Sequence, residues 1–203
     1  SPGKIIDSNS TALAALVRSW GGEALTPGIA GDSVAAIRAM IDAVKDADLI
    51  LPVGGASVGD YDYMKAAFAE AGAEILFAGI AVRPGKPTWF ARLGQQRVLG
   101  LPGNPASAFV CAQLFLRTLM VKTAGPANVF EAELETGMPK AGFRETYLRA
   151  VSRPQDGRTM VAPLADQDSS LLRPLQTANC LIRRLANAPA CEAGEPVECV
   201  KLD

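Results

Sequence analysis

The segment that most limits what this chain can fold into is the short apolar run Asp48-Leu49-Ile50-Leu51-Pro52-Val53, which ends abruptly in Gly54-Gly55-Ala56-Ser57-Val58-Gly59-Asp60. Turn signals on both sides of the run predict a buried strand, and the stretch from Asp62 to Ala71 behind it is compatible with a helix. A strand that passes through a glycine-rich loop into a helix is the repeating unit of a parallel α/β sheet.

The neighbouring segments extend that pattern. Leu13, Leu16, Val17 and Trp20 recur at helical spacing behind the cap-forming Asp7-Ser8-Asn9-Ser10, and Gly21-Gly22 supplies a stop, so a helix is expected over residues 10–20. Ile37, Met40, Ile41 and Val44 repeat the spacing behind Asp32-Ser33. A second apolar segment, Ile75 to Val82, ends at Arg83-Pro84-Gly85-Lys86-Pro87. Thr88 to Leu93, a turn at Gly94-Gln95-Gln96, and Val98-Leu99-Gly100-Leu101 predict a hairpin. Pro102-Gly103-Asn104-Pro105 then opens a long apolar helix through about Val121, with Asn104 suited to the N-cap and Pro105 to the first helical position. Beyond Gly125-Pro126 the pattern changes to short extended pieces such as Tyr147–Val151 and Val197–Val200. We therefore expect an α/β domain over 1–124 and a small β domain over 125–203.

Composition removes several classes of function. With 203 residues, 49% of them hydrophobic, the chain can bury a core in each of two domains. Lys and Arg total 20 against 21 Asp and Glu, so no overall field would hold the protein on nucleic acid or an anionic membrane. No apolar run is long enough to cross a bilayer, and Ser1 to Ser10 lacks the features of a signal peptide, so a cytoplasmic location is expected. The missing initiator Met leads us to expect a portion of a longer protein. Cys111, Cys180, Cys191 and Cys199 form no C-x-x-C pair and read as ordinary thiols. There is no histidine, which excludes every His-based triad and leaves carboxylates, Lys, Arg, hydroxyls and backbone amides to do any chemistry.

Three loops fall where predicted strands finish: residues 54–62, 83–87 and 102–107. In open α/β sheets ligands bind beyond the carboxyl ends of the strands, so their coincidence is the main clue to a site. Gly54, Gly55 and Gly59 permit close approach and turned backbone, leaving amides to face an anion such as a phosphate; any one such loop is equally a tight turn. Asn104-Pro105 opens a helix whose first amides favour the same kind of ligand, with Ser107 adding a hydroxyl or merely capping. Arg83 and Lys86 share one Pro-Gly turn, either as an anion site or as solvated surface. Asp60 and Asp62 can cap the helix that follows or contact Mg²⁺, and the residues alone leave both open.

Gly54-Gly55-Ala56-Ser57-Val58-Gly59-Asp60-Tyr61-Asp62-Tyr63-Met64-Lys65, Arg83-Pro84-Gly85-Lys86-Pro87 and Leu101-Pro102-Gly103-Asn104-Pro105-Ala106-Ser107-Ala108 resemble, in this order, three signature segments of the molybdopterin molybdenumtransferases, the MoeA and gephyrin E-domain family. Asp7-Ser8-Asn9 resembles that family's entry motif, Asp32 the acidic residue opening the next helix, and residues 144–200 its C-terminal β domain. The resemblance implies a three-layer α/β/α domain of the MogA-like, molybdopterin-binding kind with a mostly parallel sheet, followed by a β-barrel-like domain, in a homodimer. It implies a reaction in molybdenum cofactor biosynthesis: molybdate is inserted into adenylylated molybdopterin with release of AMP, in the presence of Mg²⁺.

Carried over by position, the resemblance gives functional roles to Asp32, Asp62, Arg83 and Lys86. Gly54, Gly55, Ser57, Gly59, Asp60, Pro84, Gly85, Gly103, Asn104, Ser107, Arg149 and Ser169 become substrate contacts, and Asp60 and Asp62 the Mg²⁺ ligands. Two positions depart from the family pattern: Gly79 stands where many relatives carry a basic residue, and Asp168 replaces a usual glycine. Relatives also carry preceding domains that help close the site, so this chain alone is expected to turn over poorly. The alternatives are a molybdopterin adenylyltransferase, which is also a candidate partner, and a catalytically silent pterin-binding or scaffold relative.

Overall fold

A computed structural model of the chain describes residues 7–54, 63–121 and 128–202. The fold separates into two compact units, Ser1–Ile80 with Gly85–Ala112 and Ala81–Pro84 with Gln113–Asp203. The first unit holds helices α1 (Ser8–Ser19), α2 (Val34–Ala43), α3 (Tyr63–Glu70) and α4 (Pro105–Cys111). Its strands are β1 (Leu49–Ile50), β2 (Glu74–Phe77), β4 (Trp89–Leu93) and β5 (Gln96–Gly100), while β3 (Val82–Arg83) belongs to the second unit.

Short polar side chains start the first two helices as expected. Asp7 accepts the Ser10 amide at 3.0 Å and Ser33 accepts the Ala36 amide at 3.2 Å, each satisfying a donor that the first turn leaves open. The two bonds from Ser10 hold the Asp7 carboxyl below its ordinary value.

The sheet runs β1-β5-β4-β2. β1 and β5 are parallel, whereas β4 is antiparallel to both β5 and β2. The expected mostly parallel sheet is therefore a mixed one among the described residues. The cause is local: Leu93 pairs with Gln96 across Gly94, whose φ of 58° permits the tight reversal, so the hairpin read from the sequence sets two of the pairings antiparallel. The segment expected as one strand from Ile75 to Val82 divides into β2 and β3, which join different sheets.

α2 packs on α3 and α1 on α4, giving the α/β/α layering. Ile37, Ile41, Ala67 and Phe68 from α2 and α3 meet Trp89, Ala91 and Val98 of the sheet in one apolar cluster. Phe68 and Trp89 sit edge to face with centroids 5.3 Å apart. Gly100 makes room for this arrangement: a Cβ there would lie 1.8 Å from Trp89 Nε1.

In the second unit, β6 (Val129–Leu134), β7 (Glu145–Gln155), β8 (Arg158–Pro163), β9 (Cys180–Arg184) and β10 (Pro196–Lys201) run in the order β7-β8-β6-β10-β9. A further β7–β9 pairing, in which Leu148 meets Ile182, closes them into a five-stranded barrel that leaves no open edge. β3 adds in parallel to β7 through Val82–Glu145 and Arg83–Thr146. Inward residues Ala132, Leu134, Ala150, Val161, Cys180, Ile182 and Cys199 fill the interior, as the alternation along each strand requires. A π-helical turn (Ala112–Leu116) and the short α5 (Arg117–Met120) and α6 (Arg173–Thr177) complete the described elements.

Candidate functional site

In the first unit the parallel pairing continues past β1 and β5. Val53 bridges Leu101, the Leu101 amide donates to Pro52 O at 2.9 Å, and the Gly54 amide donates to Leu101 O at 3.1 Å. These bonds bring the residues just beyond the two strands together. A Cβ on Gly103 would stand 3.3 Å from Gly54 Cα, and Gly54 takes a φ of 82°. The backbones at Gly54 and Gly103 thus meet with no side chain between them, at the carboxyl ends of parallel neighbours, where α/β sheets receive ligands.

Asn9 on α1 fastens this junction by donating from Nδ2 to Gly103 O at 2.8 Å. The entry motif drew attention to Asn9, but nothing in its local sequence announces a bond to a glycine ninety-four residues away. Asn104 takes the N-cap position of α4 with extended backbone, and Pro105 the first helical position; the Asn104 side chain does not close the cap. Ser107 lies buried in α4 at 5% exposure beside Ala106 and Ala108. Asp32 is exposed next to the capping Ser33. Gly55, Ser57, Gly59, Asp60 and Asp62 lie outside the described residues.

The basic turn is divided between units. Arg83 ends β3 in the second unit with an exposed side chain, and Pro84 follows it through a cis peptide. Gly85 and Lys86 belong to the first unit. Gly85 is buried with φ 128°, and a Cβ there would meet Cys111 Sγ at 2.6 Å, so the turn passes over α4 only because this residue has no side chain. Its carbonyl accepts the Thr88 amide at 2.9 Å, and the Thr88 hydroxyl reaches Cys111 Sγ at 3.3 Å. Burial pushes the Cys111 thiol up to about 11, against the smaller opposing effect of Thr88, which keeps it a neutral thiol. Lys86 fixes its backbone by accepting the Ile80 amide at 3.0 Å and leaves its side chain exposed.

In the second unit Arg149 lies inside β7 at 2% exposure. Its Nη1 donates to Asp168 O at 3.0 Å, and Gln167 Oε1 accepts from its backbone amide at 3.0 Å. Burial draws the guanidinium below its ordinary value, while Asp166 and Asp168 act in the opposite sense. Ser169 sits between Asp168 and Ser170, partly buried, in the loop that these bonds hold. The sequence pointed to Arg149 and Ser169 but not to Gln167, whose only signal was its place in Gln167-Asp168-Ser169. Among the described residues no group of three or more His, Cys, Asp or Glu side chains gathers to hold a metal, and no helix is long and apolar enough to cross a membrane.

Known proteins resemble this chain in sequence and fold. Residues 1–122 match the family described as the probable molybdopterin binding domain, and residues 131–202 match the MoeA C-terminal region, domain IV. A molybdopterin molybdenumtransferase of Bacillus subtilis is 30% identical over 202 residues, covering 97% of this chain and 47% of that protein. One from Nostoc is 38% identical over 156 residues, covering 72% of this chain and 36% of that protein. The crystal structure of a molybdopterin biosynthesis MoeA protein from Pyrococcus horikosii superposes with a TM-score of 0.80 at 25% identity, covering 99% of this chain and 49% of that one. The chain spans about half the length, or less, of these relatives. Both units are accounted for by these matches: the chain belongs to the probable molybdopterin binding domain family, joined to a MoeA C-terminal region.

Proposed function

We propose that this chain supplies the pterin-binding and C-terminal portions of a molybdopterin molybdenumtransferase, which inserts molybdate into adenylylated molybdopterin and releases AMP. The observation that carries the reading is the junction of Gly54 and Gly103 at the ends of two parallel strands. Backbone free of side chains there can approach a phosphate closely, and amides in turned backbone and at a helix start donate to its oxygens. On the first unit Lys86 offers exposed positive charge to an oxyanion; on the second, Arg83 does the same and Arg149 offers a buried guanidinium held in one orientation. A cation fixed as Arg149 is favours a reaction that builds negative charge on a departing phosphate. The Mg²⁺ that the resemblance implies would be held by Asp60 and Asp62, which lie outside the described residues.

The relatives continue beyond the length matched here, so we propose that full turnover needs that additional length and that the complete protein is a homodimer. A site left open to water loses positioning and electrostatic strength. The test supplies adenylylated molybdopterin and molybdate to this chain and to a version extended to the length of its relatives, and measures AMP. Molybdate-dependent AMP release by the extended version, and little by the chain alone, is the expected result. Pyrophosphate release from ATP would assign it to the adenylyltransferases instead. Equal turnover by both versions would show that the chain needs no further portion.

A further inference from the structure

Arg149 is held by a neighbour that does more than close a loop. Gln167 accepts from the Arg149 amide at 3.0 Å and from its Nε at 3.4 Å, and donates through Nε2 to Arg149 O at 2.9 Å and Leu164 O at 2.8 Å. One carboxamide thus uses both of its N–H donors and both acceptor positions, three of the four bonds going to a single arginine. The loop would close without it, because the Leu164 amide already donates to Arg149 O at 2.8 Å. What the bond to Nε adds is orientation: with Nη1 on Asp168 O, it fixes the plane of the guanidinium. Nη2 makes no hydrogen bond to any described residue.

Asp168, which departs from the family's usual glycine, tightens the same loop. Its amide donates to Asp166 Oδ1 at 2.9 Å, and its Oδ1 accepts the Ser170 amide at 2.9 Å and the Ser170 hydroxyl at 2.8 Å. Ser169 is therefore held between two tethered residues, on a loop whose other end is pinned to Arg149. These bonds also hold the Asp168 carboxyl below its ordinary value, so it keeps its charge beside the guanidinium.

We infer that Gln167 is a positioning residue for an oxyanion site on the barrel unit, orienting Arg149 so that Nη2 and the Ser169 segment face one anionic group together. The inference rests on the proposed function, which makes Arg149 an anion contact, and on the resemblance that adds Ser169, and it names the chemistry they would take: a tetrahedral oxyanion such as molybdate, or the phosphate of AMP. Partners that orient a ligating group act through it, and their loss costs affinity without removing the contact itself.

The experiment measures molybdate binding by titration calorimetry in the wild-type chain, Gln167→Met and Arg149→Met, each below its melting temperature. Methionine keeps most of the glutamine's volume and deletes all four bonds. Loss of measurable binding in Arg149→Met, with binding about tenfold weaker in Gln167→Met, supports the inference. Unchanged binding in Gln167→Met alongside loss in Arg149→Met overturns it and leaves the proposed function standing. Unchanged binding in Arg149→Met removes Arg149 from the anion site, and both readings fall there. If Gln167→Met does not fold, the wild-type chain decides by nuclear magnetic resonance of the arginine side chains. Molybdate should shift and protect the Arg149 Nε–H signal while leaving that of Arg184, another buried arginine in the same unit, where it was. Equal shifts at both, or none at Arg149, overturn the inference.

Discussion

In the first unit the candidate site is made by leaving side chains out, with Gly54 against Gly103 and Gly85 against Cys111, whereas in the second it is made by tying side chains together around Arg149. The two devices fail differently. A cradle of glycines is spoiled by a single added methyl group and tolerates loss of polar atoms, because its donors are backbone. A side-chain clamp tolerates added methyls nearby and is spoiled when one partner leaves another buried without its bond. The contrast follows from architecture: an open sheet ends in loops that must approach a ligand closely, while a closed barrel offers long strands on which a side chain can be buried and then oriented.

The largest effect that could break this comparison lies at Gly100. Gly100→Ala would place a Cβ within 2.4 Å of three atoms of the Trp89 ring, which is wholly buried, so the ring must leave its place against Phe68. A loss of about 3 kcal/mol or more is expected from such overpacking, read in a denaturant melt. Gly142→Ala in the second unit, where nothing lies within 4 Å, should change stability by less than about 0.5 kcal/mol. Equal losses at the two positions would erase the distinction between the units.

Much of this was legible beforehand, for physical reasons. Asp7, Ser33 and Pro105 act within one helical turn of where they sit, and the reversal at Gly94 needs only its immediate neighbours, so local sequence sufficed for them. The glycine junction was legible as two loops but not as a contact, because the pairing of β1 with β5 crosses nearly fifty residues. β3 was hidden for the same reason: Val82 and Arg83 read as the end of an apolar run, and only the edge of β7 draws them into the other unit. Gln167 carries no local signal in the sequence beyond its place before Asp168-Ser169. Three of its four bonds go to Arg149, eighteen positions away, and no periodicity records them. Ser107 reads from sequence as a hydroxyl for a ligand or as a cap, and it lies buried on the face of α4 that Val110 and Cys111, three and four positions on, also mark as inward.

Lys86 sharpens the comparison next, because its side chain, like that of Arg83, stands exposed on a turn built from prolines and glycine. Lys86→Ala removes charge from a surface turn without opening a core cavity, so its melt should match the wild type. Its effect belongs to binding: a partly solvated pair of unit charges contributes about 2 to 3 kcal/mol, or a loss on the order of 30-fold or more in apparent molybdate affinity. The measurement is molybdate-dependent AMP release by the extended protein. A large fall in melting temperature would make Lys86 structural, and an unchanged molybdate dependence would take it out of the site.

Gly54→Ala is expected to cost less in stability than Gly100→Ala, because its strain comes from backbone rather than from collision. At φ 82° an added Cβ costs about 1 to 2 kcal/mol, and the nearest atom, Gly103 Cα, is 3.9 Å away. The variant should fold, melt slightly earlier and bind AMP or phosphate more weakly. Wild-type binding would show that the junction does not receive the anion.

The smallest expected effect tests whether side-chain clamps in the barrel also matter where they are partly solvated. Glu145 Oε1 accepts from Tyr147 OH and from Arg183 Nε, both at 2.7 Å, and Arg183 Nη1 donates to Glu198 Oε1 at 2.7 Å. Burial pulls the Glu145 carboxyl upward, but the bonds from Arg183 and Tyr147 outweigh it and leave the group below its ordinary value of 4.5. A carboxyl lowered by folding binds its proton more readily in the unfolded chain. Its stabilising contribution is therefore complete above about pH 4.5 and is lost as pH falls through the lower folded value. The side chains of Glu145 and Arg183 are 26% and 34% exposed, so screening should keep the contribution below about 1 kcal/mol. Glu145→Gln should melt slightly earlier than the wild type at pH 7, and the gap should close as both are titrated toward pH 3. A gap that persists or widens on acidification would show that the Glu145 charge does not support the barrel, and would confine the clamp's importance to buried Arg149.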